Sequence, residues 1–270
     1  MSEESPDPRE VAWHPRYTPD VIGHSEAIAR FTHSLGTGKL HHAWLIHGTK
    51  GIGKATLAYH FAALILGHKN PAQAQRWIAS HAHPDLFVLE RQLNDSKPPK
   101  LRTEISVHDA RKLSEFFAHT SSSGWRVAIV DSADDLNAES ANALLKLVEE
   151  PPANCVLLLV CNHPGRVLRT MKSRCMRLGL TGLTEAEVEQ VVANLPLPTP
   201  PEPDALEMAV QLAGGSPGRA LSLLTSEGAK SFDLFRKTTR WNPSTIVKLG
   251  NRFGGRTASV DDFNLFAELL

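Results

Sequence analysis

The stretch His47-Gly-Thr-Lys-Gly-Ile-Gly-Lys-Ala-Thr56 decides how this chain is read. Leu45 and Ile46 end an apolar run that reads as a buried strand. After the stretch, Lys54 opens a helix whose apolar face includes Leu57, Phe61, Leu64 and Ile65. Between them Gly48, Gly51 and Gly53 free the backbone to curl. A loop of this kind aims consecutive N–H groups and the positive end of a helix at an anion, and the lysine adds a mobile charge. The spacing Gly48-x4-Gly53-Lys54 fits the phosphate-binding P-loop. The next position does not fit, because Ala55 stands where a Ser or Thr hydroxyl would hold magnesium. Thr56 lies one residue on, about 100° around a helix of 3.6 residues per turn, and cannot simply replace it. The loop is built to hold phosphate and poorly built to hold its metal.

Outward from this unit, strands and helices alternate. Ile28, Phe31 and Leu35 predict a helix over 23–35, stopped by Gly36-Thr-Gly38. Leu86–Leu89, Trp125–Val130 ending at Asp131, Cys155–Cys161 and Arg177–Leu180 read as further strands. Helices are expected over Ser106–His119, with Val107, Leu113, Phe116 and Phe117 inward, and from an Asn137 cap through Val148 to Pro151-Pro152. Residues 67–82 are polar and histidine-rich, and 94–102 read as an exposed loop. The expected fold is α/β, a parallel sheet with ligand at the carboxyl ends of its strands. Near Thr181 short helices take over: Thr184–Asn194, Asp204–Ala213 and Pro217–Leu224. The expected domains are an α/β domain at 1–180, a small helical domain at 181–225, and the start of a third at 226–270. That third segment stops inside an amphipathic pattern, Val260, Phe263, Phe266, Leu269, and reads as incomplete.

Composition narrows the class. Lys+Arg (29) balances Asp+Glu (29), so no global field draws the chain to nucleic acid or membrane, and DNA contacts would be local or made through partners. Cys155, Cys161 and Cys175 form no CxxC pair and read as small core residues in a reducing compartment. The acidic, proline-bearing start, a loose leader up to about Tyr17, is unlike a signal peptide. No apolar run approaches the ~18 residues of a membrane helix, so a soluble cytoplasmic protein is expected.

The candidate site residues gather at the strand ends. Asp131 closes an apolar strand downstream of the loop, where P-loop proteins keep the acid that reaches magnesium. Ser132 follows where a ring-forming ATPase would carry a catalytic glutamate, and serine is no general base at neutral pH without activation. Asn162 ends the next strand and could orient a γ-phosphate or water. Arg174, in Ser173-Arg174-Cys175, follows a short helix and is expected to reach outward. Arg219, in Gly-Gly-Ser-Pro-Gly-Arg, starts a helix that could fold over the same cleft, though it could equally pair with a nearby acid. His81-x-His83 without a third ligand reads as solvated loop, and no metal site is expected.

The segments Leu136-Asn, Asn142-Ala-Leu-Leu-Lys-Leu-Val-Glu-Glu-Pro-Pro152, Asn162 and Arg169-Thr-Met-Lys-Ser-Arg-Cys175 together resemble clamp-loader subunits of the AAA+ class. Within that group the delta-prime branch of bacterial DNA polymerase III is most similar, over roughly residues 15–225. The resemblance implies an α/β P-loop AAA+ sheet with helices on both faces, a helical lid and a helical collar that assembles a five-membered ring. It further implies partners: motor ATPase subunits, a clamp-opening subunit and, through the complex, the sliding clamp and primer-template DNA. By family motif, Arg174 is the finger that enters a neighbour's ATP site, and Asn162 and Arg219 match the two sensor positions. Motor subunits keep the hydroxyl after the P-loop lysine and an acidic pair at the second strand. Here these are Ala55 and Ser132, which fits a non-hydrolysing role with ATP or ADP bound without turnover. Related subunits carry a four-cysteine zinc module where 68–84 has no cysteine, so no zinc is expected. The alternative is an active AAA+ ATPase of the same architecture, with Thr56 and Asp134 compensating. An unrelated P-loop kinase or hydrolase is disfavoured by the Ser-Arg-Cys segment and the helical lid.

Overall fold

Strands β1 (Ala43–His47), β2 (Leu86–Glu90), β3 (Arg126–Asp131), β4 (Cys155–Cys161) and β5 (Met176–Gly179) form one parallel sheet in the order β2-β3-β4-β1-β5. This is a computed structural model, and it describes residues 11–18, 20–96, 99–226 and 243–254, with Ser231, Phe235, Thr238, Phe263 and Ala267. Every residue of β4 is buried, as a parallel strand covered on both faces requires. Alternate side chains go to opposite faces. Trp44, Ile46, Ile129 and Leu158 meet α1 (Ser25–Gly36), α2 (Lys54–Leu66) and α3 (Pro71–Ala79). Leu45, Val130, Leu157 and Leu159 meet α4 (Val107–Ala118), α5 (Ala138–Glu149) and α6 (Arg169–Arg174). On the first face Phe31 stacks on Phe61 with centroids 3.8 Å apart and lies 5.0 Å from Trp44, tying α1 to α2 and β1.

Local chemistry sets the element ends. Ser106 Oγ accepts the Asp109 N–H at the start of α4, and Asn137 Oδ1 accepts the Ser140 N–H at the start of α5. The fifth strand starts one residue earlier than the sequence suggested and ends at Gly179, with Leu180 buried beyond it. Val107, Phe116 and Leu64 are half-buried rather than core. Helix α3 falls in the polar stretch that sequence periodicity left unassigned. Its signals were there: Asn70 caps it by accepting the Gln73 N–H at 3.1 Å, Pro71 stands in its first turn, and Ala74 and Ile78 point inward. His83 is buried against Trp77, ring centroids 5.6 Å apart, and so is not a solvated loop residue. Nor is the end of the leader loose: Pro15–Tyr17 form a 3-10 turn, with Arg16 buried, bonded to Tyr17 Oη and in contact with His81. Of the cysteines, Cys155 and Cys161 are core, whereas Cys175 is half-buried.

A second compact unit begins at Leu183. It holds α7 (Glu185–Asn194), α8 (Pro203–Leu212) and α9 (Pro217–Thr225), which bury Val188, Val192, Ala209, Val210 and Ala220. Ser216 Oγ caps α9 by accepting the Arg219 N–H. A further helix covers Pro243–Gly254 with Ile246 and Val247 exposed. Of the amphipathic pattern near the chain's end, Phe263 is exposed, and Val260, Phe266 and Leu269 lie outside the described residues, as do the first ten residues.

Asp85 pins the amino edge of the sheet. Its carboxylate accepts the Ser122 N–H, the Ser122 hydroxyl at 2.6 Å and the Ser123 N–H at 2.8 Å, holding the turn before β3 against the start of β2. Burial alone would push this acid up, but the hydrogen bonds from Ser122 and Ser123 outweigh it and hold the carboxyl below its ordinary value of 3.8. A depressed folded value means stability that is fully present above the unfolded value and lost as pH falls through the folded one. Asp85→Ala is therefore expected to cost about 3 kcal/mol in denaturant unfolding at neutral pH. The gap to wild type should narrow only below about pH 4.

Candidate functional site

The parallel register brings the ends of β1, β3 and β4 to one edge: His47 pairs with Cys161, and Asp131 with Val160. The P-loop leaves β1 there. At Gly48 a Cβ would lie 2.6 Å from both Ile52 Cδ1 and the Leu180 carbonyl oxygen, so only glycine fits. Gly51 and Gly53 take φ of 80° and 96°, a region open to glycine, and Gly53 leads into α2 without a side-chain cap. Ile52 is buried beneath the loop, and its carbonyl accepts from His24 Nε2 at 2.7 Å. His24, which directly precedes α1 without capping it, is thus a loop-holding residue that no sequence signal marked.

Lys54 is buried at the start of α2, and its ammonium donates to the carbonyls of Gly48 at 2.9 Å and Thr49 at 2.5 Å. Burial lowers its pKa to about 8, opposed by the charges of Asp131 and Asp134. Two of its three N–H groups are occupied by the loop itself. Ala55 and Thr56 follow in the first turn of α2, both half-buried.

Beside the loop, the strand ends form a closed chain of hydrogen bonds. Asn162 Nδ2 donates to Ser132 Oγ at 3.1 Å, and that hydroxyl donates to Asp131 Oδ1 at 3.2 Å. Desolvation pushes the Asp131 acid above its ordinary range, against the Ser132 hydrogen bond and the Lys54 charge. Asp134, on the 3-10 turn Ala133–Asp135, accepts the Asn162 N–H at 2.9 Å and both the His163 N–H and Nδ1–H. Burial would raise the Asp134 pKa, but the hydrogen bonds from Asn162 and His163 outweigh it and bring it down. This acid is fixed as the anchor of the turn after β4.

Gly48, Gly51, Gly53, Lys54, Asp131 and Asn162 therefore meet at one edge, with Thr56 on the helix beside them. Arg174 does not join them. It ends α6 immediately before β5, and since all strands run parallel it lies at the amino edge, opposite the P-loop. Nor does it reach out unpartnered as expected: its Nη2 pairs with Glu149 Oε1 at 3.1 Å and its Nη1 donates to the Thr170 carbonyl at 3.0 Å. Arg219 belongs to the second unit, in the first turn of α9. Among the described residues no group of three or more His, Cys, Asp or Glu could hold a metal ion. No helix among them is long and apolar enough to cross a membrane.

Comparison with known proteins places this arrangement. DNA polymerase III subunit delta' of Pseudomonas aeruginosa is 39% identical over 187 residues, covering 65% of this chain and 53% of the relative. The Escherichia coli subunit delta' is 31% identical over 225 residues, covering 80% and 62%. The chain thus spans between about half and three-fifths of the length of these relatives. Among solved structures, the Thermotoga maritima RuvB Holliday junction branch migration motor matches with a TM-score of 0.51 at 18% identity, over 88% of this chain and 73% of that one. That likeness is one of fold. Residues 23–184, which carry the whole sheet and every P-loop residue described above, match the profile of the family described as DNA polymerase III, delta subunit, and the chain belongs to that family.

Proposed function

We propose that this chain is the delta-prime-like subunit of a bacterial clamp loader: a non-hydrolysing scaffold that helps load a sliding clamp onto primed DNA and lends Arg174 to a neighbouring ATPase. The hydrogen-bond chain Asn162–Ser132–Asp131 carries this reading. In a hydrolysing site these positions face water and metal. Here the amide of Asn162 is spent on Ser132, the Ser132 hydroxyl on Asp131, and Asp134 on the turn after β4. With Ala55 in place of the metal-holding hydroxyl and Ser132 in place of the second acid, two of the groups that a motor subunit uses for hydrolysis are replaced. The names of the relatives, DNA polymerase III subunit delta', support a complex with other polymerase III subunits; motor and clamp-opening subunits, and through them clamp and primer-template DNA, are the partners this reading adds. A cytoplasmic location follows from that work.

The loop still fits a polyphosphate. Gly48, Gly51 and Gly53 keep the backbone close, and the third N–H of the Lys54 ammonium is available. ATP or ADP held there would serve as a fixed part of the subunit, contacting the loop N–H groups and Lys54. Zinc has no role in this reading, because 68–84 has no cysteine and is filled by α3. Arg174 supports the reading by its place: at the opposite edge from its own P-loop, and half-exposed, it is suited to a site on another subunit.

Three outcomes are expected. The purified chain alone shows no magnesium-dependent ATP turnover. Turnover abolished by Lys54→Ala would establish an active ATPase instead. In the assembled complex, Arg174→Ala lowers hydrolysis at the neighbouring site by about 10³- to 10⁵-fold with assembly intact, and an unchanged rate would remove the finger. Binding of ADP to the chain weakens as pH rises past about 8, by up to about tenfold per unit, because the bound anion needs the charged Lys54. Calorimetry across pH 7–10 checks this, with Lys54→Ala giving a flat profile there.

A further inference from the structure

We propose that Glu149 is a positioning residue for Arg174, fixing the guanidinium before a neighbouring subunit arrives; this rests on the finger reading above. Glu149 is the last residue of α5, a place where the helix dipole disfavours a carboxylate. Its position therefore does nothing for the helix that carries it. What it does have is one partner, Arg174 Nη2 at 3.1 Å, across from the end of α6. On the other side, Arg174 Nη1 donates to the Thr170 carbonyl at 3.0 Å and reaches Ser173 Oγ at 3.5 Å. That carbonyl, in the first turn of α6, also accepts the Ser173 hydroxyl at 2.9 Å.

The two contacts clamp a side chain that would otherwise sample many rotamers, while the Nε–H and the remaining Nη protons stay unspent among the described residues. A planar fork with part of its donors fixed and part open loses less freedom when it meets a phosphate. The clamp is also releasable. The side chains of Arg174 and Glu149 are 42% and 40% exposed, and a pair this wet is weak beside the multiple charges of a nucleotide phosphate. Glu149 thus biases the arginine without trapping it.

The test is a double-mutant cycle in the complex reassembled with its ATP-hydrolysing subunits: wild type, Glu149→Gln, Arg174→Ala and the double variant, with assembly followed by gel filtration. Glu149→Gln is expected to lower kcat for ATP by about two- to five-fold with KM unchanged, and to have no effect in the Arg174→Ala background. An equal loss in both backgrounds would show that Glu149 acts on the fold or the interface, and would overturn the proposal. An Arg174→Ala complex that hydrolyses ATP normally removes the finger and Glu149's role with it. A defective Arg174→Ala complex with a normal Glu149→Gln complex removes only Glu149's role. In the chain alone, Glu149→Gln should speed phenylglyoxal modification of Arg174 by a similar factor, and an unchanged rate would mean that the pair does not hold the arginine in solution.

Discussion

The placement of β1 between β4 and β5 governs everything that follows from this sheet. A parallel strand inserted there carries the P-loop to the carboxyl edge beside Asn162, with Asp131 one strand further out. The same insertion sends the chain back under the sheet before β5, so α6 delivers Arg174 to the amino edge. One topological choice therefore separates the phosphate-facing residues from the arginine by the length of the strands. A residue so placed cannot assist its own loop.

The strand ends are held by a hydrogen-bond chain of their own. A catalytic carboxylate after Asp131 would be a second buried or half-buried charge next to an acid that desolvation already disfavours. Ser132 removes that repulsion and supplies a hydroxyl that both accepts from Asn162 and donates to Asp131. The Ser132 hydroxyl, one Asp131 oxygen and the Asn162 side-chain N–H are thereby joined to one another. Asp134 completes the arrangement by holding the two backbone N–H groups at the end of β4. These bonds favour a rigid edge over a responsive one, since satisfied buried networks hold one arrangement.

Much of the fold was legible because parallel, doubly covered strands leave long apolar runs. Cys155–Cys161 could be read residue for residue, whereas β5, with one buried residue in four, shifted by one. Helix α3 was missed because its inward residues are few and separated by glutamines and an arginine, although Asn70-Pro71 is a clear start signal. At the site, the loop and its missing hydroxyl were visible as spacing. The His24 contact and the Glu149–Arg174 pair were not, because each joins residues that are distant in sequence and set by tertiary packing. Asp134 was seen as an acid, but the backbone groups that claim it lie in the turn after β4, 28 and 29 residues later.

Lys54 shows why keeping half a motif is physically sensible. A buried ammonium is costly, and here desolvation has brought its pKa down to about 8. Were the loop only a relic, an apolar residue of similar size would fill the space with no charge to accommodate. The lysine instead ties the loop's two ends together, bonding the carbonyls that follow β1 while sitting at the head of α2. That tie holds the three-glycine turn in its curve. The lysine therefore stabilises the shape of the edge. At that same edge Ala55 follows the lysine and Ser132 follows Asp131, so the shape is kept while the hydroxyl and the second acid are replaced.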